Sequence, residues 1–294
     1  MDDAYGVAPP GYRLPAATRL GRVRLQVADL ARSLAYYEQV LGLQIIEHGP
    51  ATAGLGAIGG DDVLVELNEL AGATAVPHRG RLGLYHFAIL LPSRAALGAF
   101  VAHLAVAGVR AGMSDHLVSE AIYLTDPDGL GIEVYADRPR TAWRHEARQL
   151  LMATEPLDVA SVVAAAGGAA WQGMPAGTRI GHVHLFVADL AEGEKFYHAG
   201  LGFDKVVWTY PGALFLSAGG YHHHLGTNTW APNAVRATRG DAGLLDWEIV
   251  LPAATDVAAA AASLAARGTA IEWRDGAAGA VDPWGTALRL TSAA

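Results

Sequence analysis

The four residues Val27-Ala-Asp-Leu30 recur without change as Val187-Ala-Asp-Leu190, 160 positions further along the chain. The same spacing relates other short segments: Leu41-Gly-Leu43 with Leu201-Gly-Phe203, and Leu91-Pro92 with Leu251-Pro252. Near the C-terminus the spacing shortens to 156 positions, where Asp126-Pro127 matches Asp282-Pro283. A repeat that is sustained over most of the 294 residues predicts two homologous halves.

Each half contains the same order of elements twice. Residues 22–28 are predicted to form a strand, Asp29 to cap the following helix, and Gly42 to end it. Further strands are predicted at residues 43–47 and 63–67, and the same order returns in the rest of the half. The pattern therefore predicts an α+β protein of four β-α-β-β-β modules, two in each half.

Domain boundaries follow from the repeat and from local composition. Residues 1–17, which contain three prolines, are predicted to form an N-terminal arm, and residues 18–137 the first half with modules 1 and 2. Residues 138–176 combine a Pro/Arg segment with an Ala/Gly stretch, a composition typical of a linker. Residues 177–294 are predicted to form the second half, with modules 3 and 4.

Composition limits the function classes. The chain has 21 Lys+Arg against 29 Asp+Glu and a net charge of −8, without a basic cluster, which disfavours nucleic-acid binding. It contains no cysteine, so any metal must be held by His, Asp or Glu. No apolar stretch reaches the roughly 20 residues of a membrane span, and the first residues lack the features of a secretory signal. We therefore expect a soluble, cytoplasmic protein that binds neither nucleic acid nor membrane.

One segment carries a specific chemical pattern. It places His116, Tyr123, the turn Asp126-Pro-Asp-Gly129 and Glu133 within 18 residues. This pattern resembles the signature of extradiol ring-cleaving dioxygenases, in which the Glu binds a metal, although Ser114 departs from it two positions before the His. Together with the four modules, the segment resembles the vicinal oxygen chelate superfamily, and within it most closely the catechol 2,3-dioxygenases.

The resemblance implies a half-barrel cup in which two paired modules surround one metal ion. Ligand positions in this superfamily lie at the start of a module's first strand, where modules 2 and 3 carry His86 and His182. With Glu133 these residues form a two-His, one-carboxylate set, and such a set with open positions is what a non-haem Fe(II) centre that uses O2 requires.

Modules 1 and 4 do not supply such a set. Their equivalent positions hold Arg22, Asp246 and Arg289, and arginine does not bind a metal. We therefore predict a single site that modules 2 and 3 build across the two halves. A fourth ligand position, which is Glu66 in module 1, is Gly226 in module 3, and its loss is expected to leave room for substrate and O2.

Three consecutive histidines lie just before this glycine. In a strand, His222 and His224 would share one face, and His223 would point to the other. An extradiol enzyme needs an acid/base near its metal. One of His222 and His224, together with His116, is expected to fill this role, because imidazole titrates near neutral pH.

The remaining expectations concern substrate and chemistry. Tyr123 is expected to donate a hydrogen bond to the substrate, and Asn228 and Trp230 to line its pocket. The resemblance implies an extradiol dioxygenase that uses Fe(II), with Mn(II) as an alternative, and O2 to convert catechol or a substituted catechol to a muconic semialdehyde. The alternatives are a hydroquinone-type dioxygenase, a glyoxalase-like isomerase and a non-enzymatic metabolite- or drug-binding module. The expected partner is a small aromatic diol, and homo-oligomers are common in this superfamily.

Overall fold

The first half of the chain folds into two modules of the predicted order. The structure is a computed structural model that describes residues 5–293, so residues 1–4 of the predicted arm lie outside the described residues, as does Ala294. Module 1 consists of β1 (Arg19–Val27), α1 (Leu30–Tyr36), β2 (Gln44–His48), β3 (Thr52–Gly56) and β4 (Val65–Glu69). Module 2 consists of β5 (Arg81–Leu90), α2 (Arg94–Val106), β6 (Gly112–Asp115), β7 (Ser119–Thr125) and β8 (Gly131–Asp137).

The second half repeats this order after a connecting segment. The connection contains a short hairpin, β9 (His145–Glu146) with β10 (Gln149–Leu150), and α3 (Val159–Ala165). Module 3 consists of β11 (Arg179–Phe186), α4 (Leu190–Gly193), β12 (Asp204–Val207), β13 (Ala213–Ser217) and β14 (Leu225–Asn228). After β15 (Val235–Arg236), module 4 consists of β16 (Gly243–Leu251), α5 (Ala254–Ala265), β17 (Glu272–Arg274), β18 (Ala277–Val281) and β19 (Ala287–Ser292). No helix among the described residues has the length and hydropathy needed to cross a bilayer.

Each main sheet combines one module from either half. One sheet has the strand order β17-β18-β19-β16-β1-β4-β3-β2, so it joins modules 4 and 1. The other has the order β12-β13-β14-β11-β5-β8-β7-β6 and joins modules 3 and 2. In each sheet the two modules meet through an antiparallel pair, β16 with β1 or β11 with β5. The predicted fold of four modules in two homologous halves is confirmed. Each sheet pairs a module of the first half with a module of the second half, rather than the two modules of one half.

The recurring Val-Ala-Asp-Leu segment starts the first helix of each half. Asp29 Oδ1 accepts a hydrogen bond from the backbone N–H of Arg32 at 2.9 Å, and Asp189 Oδ1 accepts one from Glu192 at 2.9 Å. These bonds satisfy N–H groups that have no partner within the helix. After α1 the helix continues as a π-helical turn and ends at Gly42, whose φ of 78° is accessible to glycine at little energetic penalty.

A repeated hydrogen bond ties the two sheets together within each half. The Tyr37 hydroxyl donates to Asp126 Oδ2 at 3.2 Å, and the Tyr197 hydroxyl donates to Asp282 Oδ2 at 2.9 Å. Asp126 Oδ1 also accepts from two backbone N–H groups of its own turn. The Asp-Pro turn therefore joins a strand of one sheet to the first helix of the neighbouring module.

The segment predicted as a linker is folded onto module 2. The Arg94 side chain, at the start of α2, donates to the Ser161 carbonyl at 3.1 Å and to its hydroxyl at 3.0 Å. Helix α3 approaches α2 so closely that a Cβ at Gly98 would lie 2.2 Å from the Val162 carbonyl oxygen. Residues 138–176 therefore form a fixed part of the protein surface rather than spanning solvent between the halves.

The described part of the predicted N-terminal arm packs on module 3. Arg13 makes two hydrogen bonds to the Asp204 carboxylate, at 2.8 and 2.7 Å, and the Tyr5 hydroxyl donates to the Gly220 carbonyl at 2.6 Å. Leu14 is buried in the main core. These contacts hold the arm against the second half of the chain.

The close approach of α2 and α3 can be tested with Gly98→Ala. Helix propensity alone favours alanine by about 1 kcal/mol, whereas overpacking against the Val162 carbonyl is expected to lower the free energy of unfolding by about 1–3 kcal/mol. Urea unfolding measures the sign. Gly193→Ala is the matched control, because the nearest atom to its new Cβ lies 3.7 Å away, and it is expected not to destabilise. Stabilisation by Gly98→Ala would contradict the packing described here.

Candidate metal centre

Three adjacent strands bring two histidines and one carboxylate together. His86 lies on β5, Glu133 on β8 and His182 on β11, and β5 is hydrogen-bonded between the other two strands. Ala88 of β5 pairs with His182 on one side and with Glu133 on the other. Because alanine has a small side chain, the two larger side chains can meet above it.

The three side chains converge on one point in the interior. His86 Nε2 lies 3.0 Å from Glu133 Oε2, and His182 Nε2 lies 3.1 Å from the same oxygen. Only 4%, 2% and 1% of the surfaces of His86, Glu133 and His182 are exposed. Within residues 5–293, this is the one group of His, Cys, Asp or Glu side chains that converges closely enough to hold a metal ion.

The protonation states at this point suit a divalent metal. Burial lowers the pKa of His86 and of His182, which outweighs the opposing effect of Glu133 and favours neutral imidazoles. Burial alone would raise the pKa of Glu133, but the two histidines hold the pKa of this carboxyl well below its usual range. Neutral imidazoles and an ionised carboxylate are the forms that bind metals.

The polar atoms of His86 also support a metal-ligand role. Both of its ring nitrogens are buried: Nδ1 makes no hydrogen bond within the described residues, and Nε2 lies 3.0 Å from Glu133 Oε2 without the geometry of a hydrogen bond. A buried nitrogen without a partner is costly, and coordination of a metal through Nε2 would satisfy one of the two. The donor set therefore fits a divalent ion, with His86, Glu133 and His182 as three protein ligands.

His116 and Tyr123 lie side by side at this centre. His116 Nε2 lies 2.6 Å from the Tyr123 hydroxyl, and His116 Nδ1 lies 2.7 Å from the Ala153 carbonyl oxygen. Since a carbonyl only accepts, Nδ1 carries a proton, and in neutral His116 the Tyr123 hydroxyl donates to Nε2. Burial raises the pKa of Tyr123 well above its usual range, so its hydroxyl stays protonated.

The orientation predicted for the three consecutive histidines is wrong. These residues precede β14 and form an irregular bend, so the alternation of a strand does not apply. His223 lines the cavity beside the metal centre, with its ring centroid 4.1 Å from that of His182, whereas His222 and His224 do not line it. Sequence reasoning therefore missed His223, because the alternation was applied to residues outside the strand.

His222 contacts His223 and does not itself line the cavity. His222 Nε2 lies 2.9 Å from Asp137 Oδ1, and the Nδ1 atoms of His222 and His223 lie 2.8 Å apart. The carboxylate accepts a hydrogen bond from Nε2, so Nδ1 of a neutral His222 accepts a hydrogen bond from the Nδ1–H of His223. This leaves Nε2 of His223 as the nitrogen with a free lone pair. Burial lowers the pKa of His223 well below its usual range, which keeps the ring neutral.

Two further expected positions have structural roles instead. His224 is buried against Phe203, and its Nδ1 accepts a hydrogen bond from the Ala218 backbone N–H at 3.2 Å. Asn228 is buried and does not line the cavity; its Oδ1 accepts from the backbone N–H of Trp230 at 3.0 Å. Trp230 itself lines the cavity.

The space left by Gly226 is already occupied. Gly226 pairs with His184 on β11, and a Cβ at this glycine would lie 2.8 Å from His184 Cγ. The equivalent pair in module 2 is Glu133 with Ala88, so the large and small side chains are exchanged between the two modules. The expectation that Gly226 frees room for substrate and O2 is therefore wrong, because the His184 ring fills that room.

A cavity of about 200 Å³ opens beside the three candidate ligands. His116, Tyr123, His184 and His223 line it, and so does Ser114, the departure from the dioxygenase signature. Further lining residues that the sequence analysis did not identify are Tyr85, Ser119, Met152, Ala153, Thr154, Tyr210 and Phe215. Several of them belong to the connecting segment, and no sequence pattern marks that segment as part of a site.

Comparisons with known proteins agree with this architecture. The family model described as Glyoxalase/Bleomycin resistance protein/Dioxygenase superfamily matches residues 19–134 and 179–278, more than half of the chain. The chain belongs to this superfamily. A protein of Bacillus subtilis (strain 168) named catechol-2,3-dioxygenase is 45% identical over 239 residues, which cover 80% of this chain and 83% of that protein.

Solved structures of low sequence identity share the superfamily fold. A putative dioxygenase from Bacillus subtilis aligns with a TM-score of 0.66 at 13% identity, covering 96% of this chain and 86% of that chain. Glyoxalase I from Zea mays aligns with a TM-score of 0.56 at 18% identity, covering 94% of this chain and 92% of that chain.

The cup built by modules 1 and 4, which we term the sister cup, is lined by arginines and carboxylates that pair with each other. Arg22 lies 3.3 Å from the Glu66 carboxylate, and Arg24 lies 3.0 Å from Glu66 and 2.8 Å from Asp246. Arg289 is the counterpart of Glu133 and lowers the pKa of Asp246, although burial of that carboxyl raises it overall. Arginines replace the ligands and neutralise the remaining carboxylates, so this superfamily member has one cup suited to a metal.

We predict one divalent metal ion per chain. His182→Ala is expected to lower the metal affinity by more than about 100-fold, since even the loss of an outer hydrogen-bond partner of a ligand typically lowers it 10–100-fold. Arg22→Ala, at the equivalent position of the sister cup, is the matched control and is expected to leave the stoichiometry at one. Elemental analysis and metal titration measure both. Two ions per chain, or full binding by His182→Ala, would contradict the assignment.

Proposed function

We propose that this protein is an extradiol dioxygenase that cleaves the ring of a catechol with O2 to give a muconic semialdehyde. The observation that carries the proposal is the two-His, one-carboxylate group formed by His86, Glu133 and His182, which lines a small cavity. The relative named catechol-2,3-dioxygenase, at 45% identity, supports the same activity. Fe(II) is the metal we propose, because this ligand set with open positions is typical of non-haem iron oxygenases.

The metal and the protein residues divide the chemistry. When bound, Fe(II) would supply the electron transfer that lets a catechol react with O2. The residues around it exclude water, orient the diol and handle its protons. Both atoms of O2 enter the product, so no further reductant is required.

His223 is the proposed base for the catechol hydroxyl. Its neutral ring lines the cavity, and its Nδ1 proton is engaged by His222, which leaves Nε2 free to take a proton. Asp137 holds His222 in the matching tautomer. His223 therefore replaces His222 and His224 in the role that the sequence analysis assigned to them.

His116 and Tyr123 form the second proton-handling pair. With His116 neutral, the Tyr123 hydroxyl is engaged as a donor to Nε2. Once His116 gains a proton, Nε2–H donates to the Tyr123 oxygen, and the hydroxyl is free to donate to a substrate oxygen. The Ala153 carbonyl fixes the His116 ring in both states. Tyr123 thus keeps the predicted role, with His116 controlling when it can donate.

The glyoxalase-like alternative is less well supported by the metal centre. The fourth ligand position, which is Glu66 in module 1, is Gly226 in module 3, and the His184 ring covers it, so this centre has no fourth carboxylate to offer an isomerase. A metal-loaded protein that isomerises a substrate without O2 would nevertheless favour this alternative over ring cleavage.

Oxygen uptake tests the proposed function. Anaerobically Fe(II)-loaded protein is expected to consume O2 when catechol is added and to form a yellow ring-cleaved product, and Glu133→Ala is expected to abolish both. His223→Asn is expected to lower kcat about 10²–10⁴-fold with unchanged metal content, because general base catalysis is lost. His145→Asn, on the exposed hairpin, is the matched control with full activity. Stoichiometric iron without O2 uptake would exclude catechol cleavage.

A further inference from the structure

A groove runs along one end of module 2, and the repeat places a second groove at the equivalent end of module 4. The lining of the first includes Tyr36, His86 and Tyr123, and that of the second includes their counterparts Phe196, Asp246 and Gly279. The module 4 groove also reaches Arg24 and Arg289 in the sister cup. Its volume of about 710 Å³ lies within the roughly 300–1,000 Å³ of ligand pockets.

A single glycine connects the module 4 groove to the sister cup. In module 2, Tyr123 pairs with Glu133 on the sheet and lines both the groove and the metal cavity, whereas Glu133 does not line the groove. In module 4 the equivalent pair is Gly279 with Arg289. Because glycine has no side chain to replace that of Tyr123, the groove extends to Arg289. The sister cup is therefore accessible where the metal cup is walled off by a tyrosine.

The guanidinium of Arg289 has no counter-ion in contact with it. The neighbouring Arg24 and Asp246 pair with each other at 2.8 Å, and within residues 5–293 no ion pair or hydrogen bond engages the Arg289 guanidinium. Glu248 lies beside Arg289 on the sheet, but its Oε2 accepts a hydrogen bond from the Arg22 backbone N–H at 3.3 Å, and it does not line the groove. One arginine is thus left to bind an anion from solvent.

We propose that the sister cup and the module 4 groove form a second binding site, which takes a small monocarboxylate with an apolar body. Arg289 binds the carboxylate, since the guanidinium presents two parallel N–H donors to the two carboxylate oxygens. The site lies outside the metal centre and shares no residue with it. The proposal therefore goes beyond the proposed ring cleavage and does not depend on it.

The charges around the groove favour an anion with a single negative charge. Asp246, Glu272 and Asp275 line the groove together with Arg289. Glu272 lies 4.0 Å from Arg274 at the exposed rim, so this arginine already has a counter-ion. A dianion such as phosphate would bring a second negative charge near these carboxylates without a second unpaired cation, which is unfavourable.

The rest of the lining favours an apolar body on the ligand. The small side chains are Ala270, Ala277, Ala280 and Ala287, and the large apolar side chains are Phe196, Val281, Pro283 and Leu288. An apolar ring or chain attached to the carboxylate would leave water when it contacts these residues, and this transfer strengthens binding. Acetate, which carries only a methyl group, is expected to gain little from them.

Calorimetry with benzoate as the probe tests the site. Benzoate is titrated into the Fe(II)-loaded protein under anaerobic conditions, and one benzoate is expected to bind per chain. Acetate is expected to bind at least about tenfold more weakly, because it buries less apolar surface. Inorganic phosphate is also expected to bind at least about tenfold more weakly, because its second charge is unpaired.

Two variants at equivalent positions separate this site from the metal centre. Arg289→Gln is expected to lower the benzoate affinity at least about tenfold, because a charge-assisted hydrogen-bond pair is lost, and to leave the iron content unchanged. Glu133→Ala, at the equivalent position of module 2, is expected to lose iron and to keep the benzoate affinity. Arg144→Gln, at an exposed arginine outside the groove lining, is the matched control with unchanged affinity and iron content.

Substitution of Gly279 tests access to the site independently of charge. Gly279→Tyr restores the module 2 residue and is expected to lower the benzoate affinity at least about tenfold, because the ring would fill the passage to Arg289. Gly279→Ala is the control, since the nearest atom to its new Cβ lies 3.5 Å away, and it is expected to keep the affinity. If Arg289→Gln also loses iron, the Gly279 pair decides the assignment.

Three results would overturn the proposal. Benzoate binding that survives Arg289→Gln but disappears in Glu133→Ala would place the ligand at the metal centre. Equal affinity for phosphate and benzoate would contradict the monocarboxylate class. If the iron-loaded protein does not bind benzoate at all, the second site falls, whereas the proposed ring cleavage stands or falls on oxygen uptake alone.

Discussion

The antiparallel pairing of β5 with β11 brings the candidate ligands together, because the two strands come from different halves of the chain. Its register places Ala88 opposite His182, and on the other side of β5 the same Ala88 pairs with Glu133. A shift of one residue would turn the ligand of one strand to the opposite face of the sheet. The centre therefore depends on the fold of the whole chain rather than on either half.

The sister cup shows that this pairing does not by itself create a metal centre. β1 and β16 pair antiparallel in the same way, yet the equivalent positions carry arginines and carboxylates that neutralise each other. The two cups share a backbone arrangement and differ in side chains. The cup of modules 2 and 3 therefore holds buried neutral imidazoles around an ionised Glu133, and the sister cup holds a network of ion pairs.

Much of the architecture could be predicted because the repeat identifies, for each position in one module, the equivalent position in another module. The comparison of His182 with Arg22, and of His86 with Asp246, sufficed to choose modules 2 and 3 for the centre. The predictions that were wrong concerned local geometry, which the spacing of residues along the sequence does not determine. His223 lies in a bend where strand alternation does not hold, and the His184 ring occupies the space above Gly226. The connecting segment lines the cavity through contacts with distant residues, such as Tyr210, that no local pattern records.

The most direct test of the account is the position of the metal in a crystal of the iron-loaded protein, measured by anomalous diffraction at the iron absorption edge. We predict one peak per chain, bound by His86 and His182 through Nε2 and by Glu133 through its carboxylate. A peak in the sister cup, or an iron ion whose protein ligands all come from one half of the chain, would contradict it.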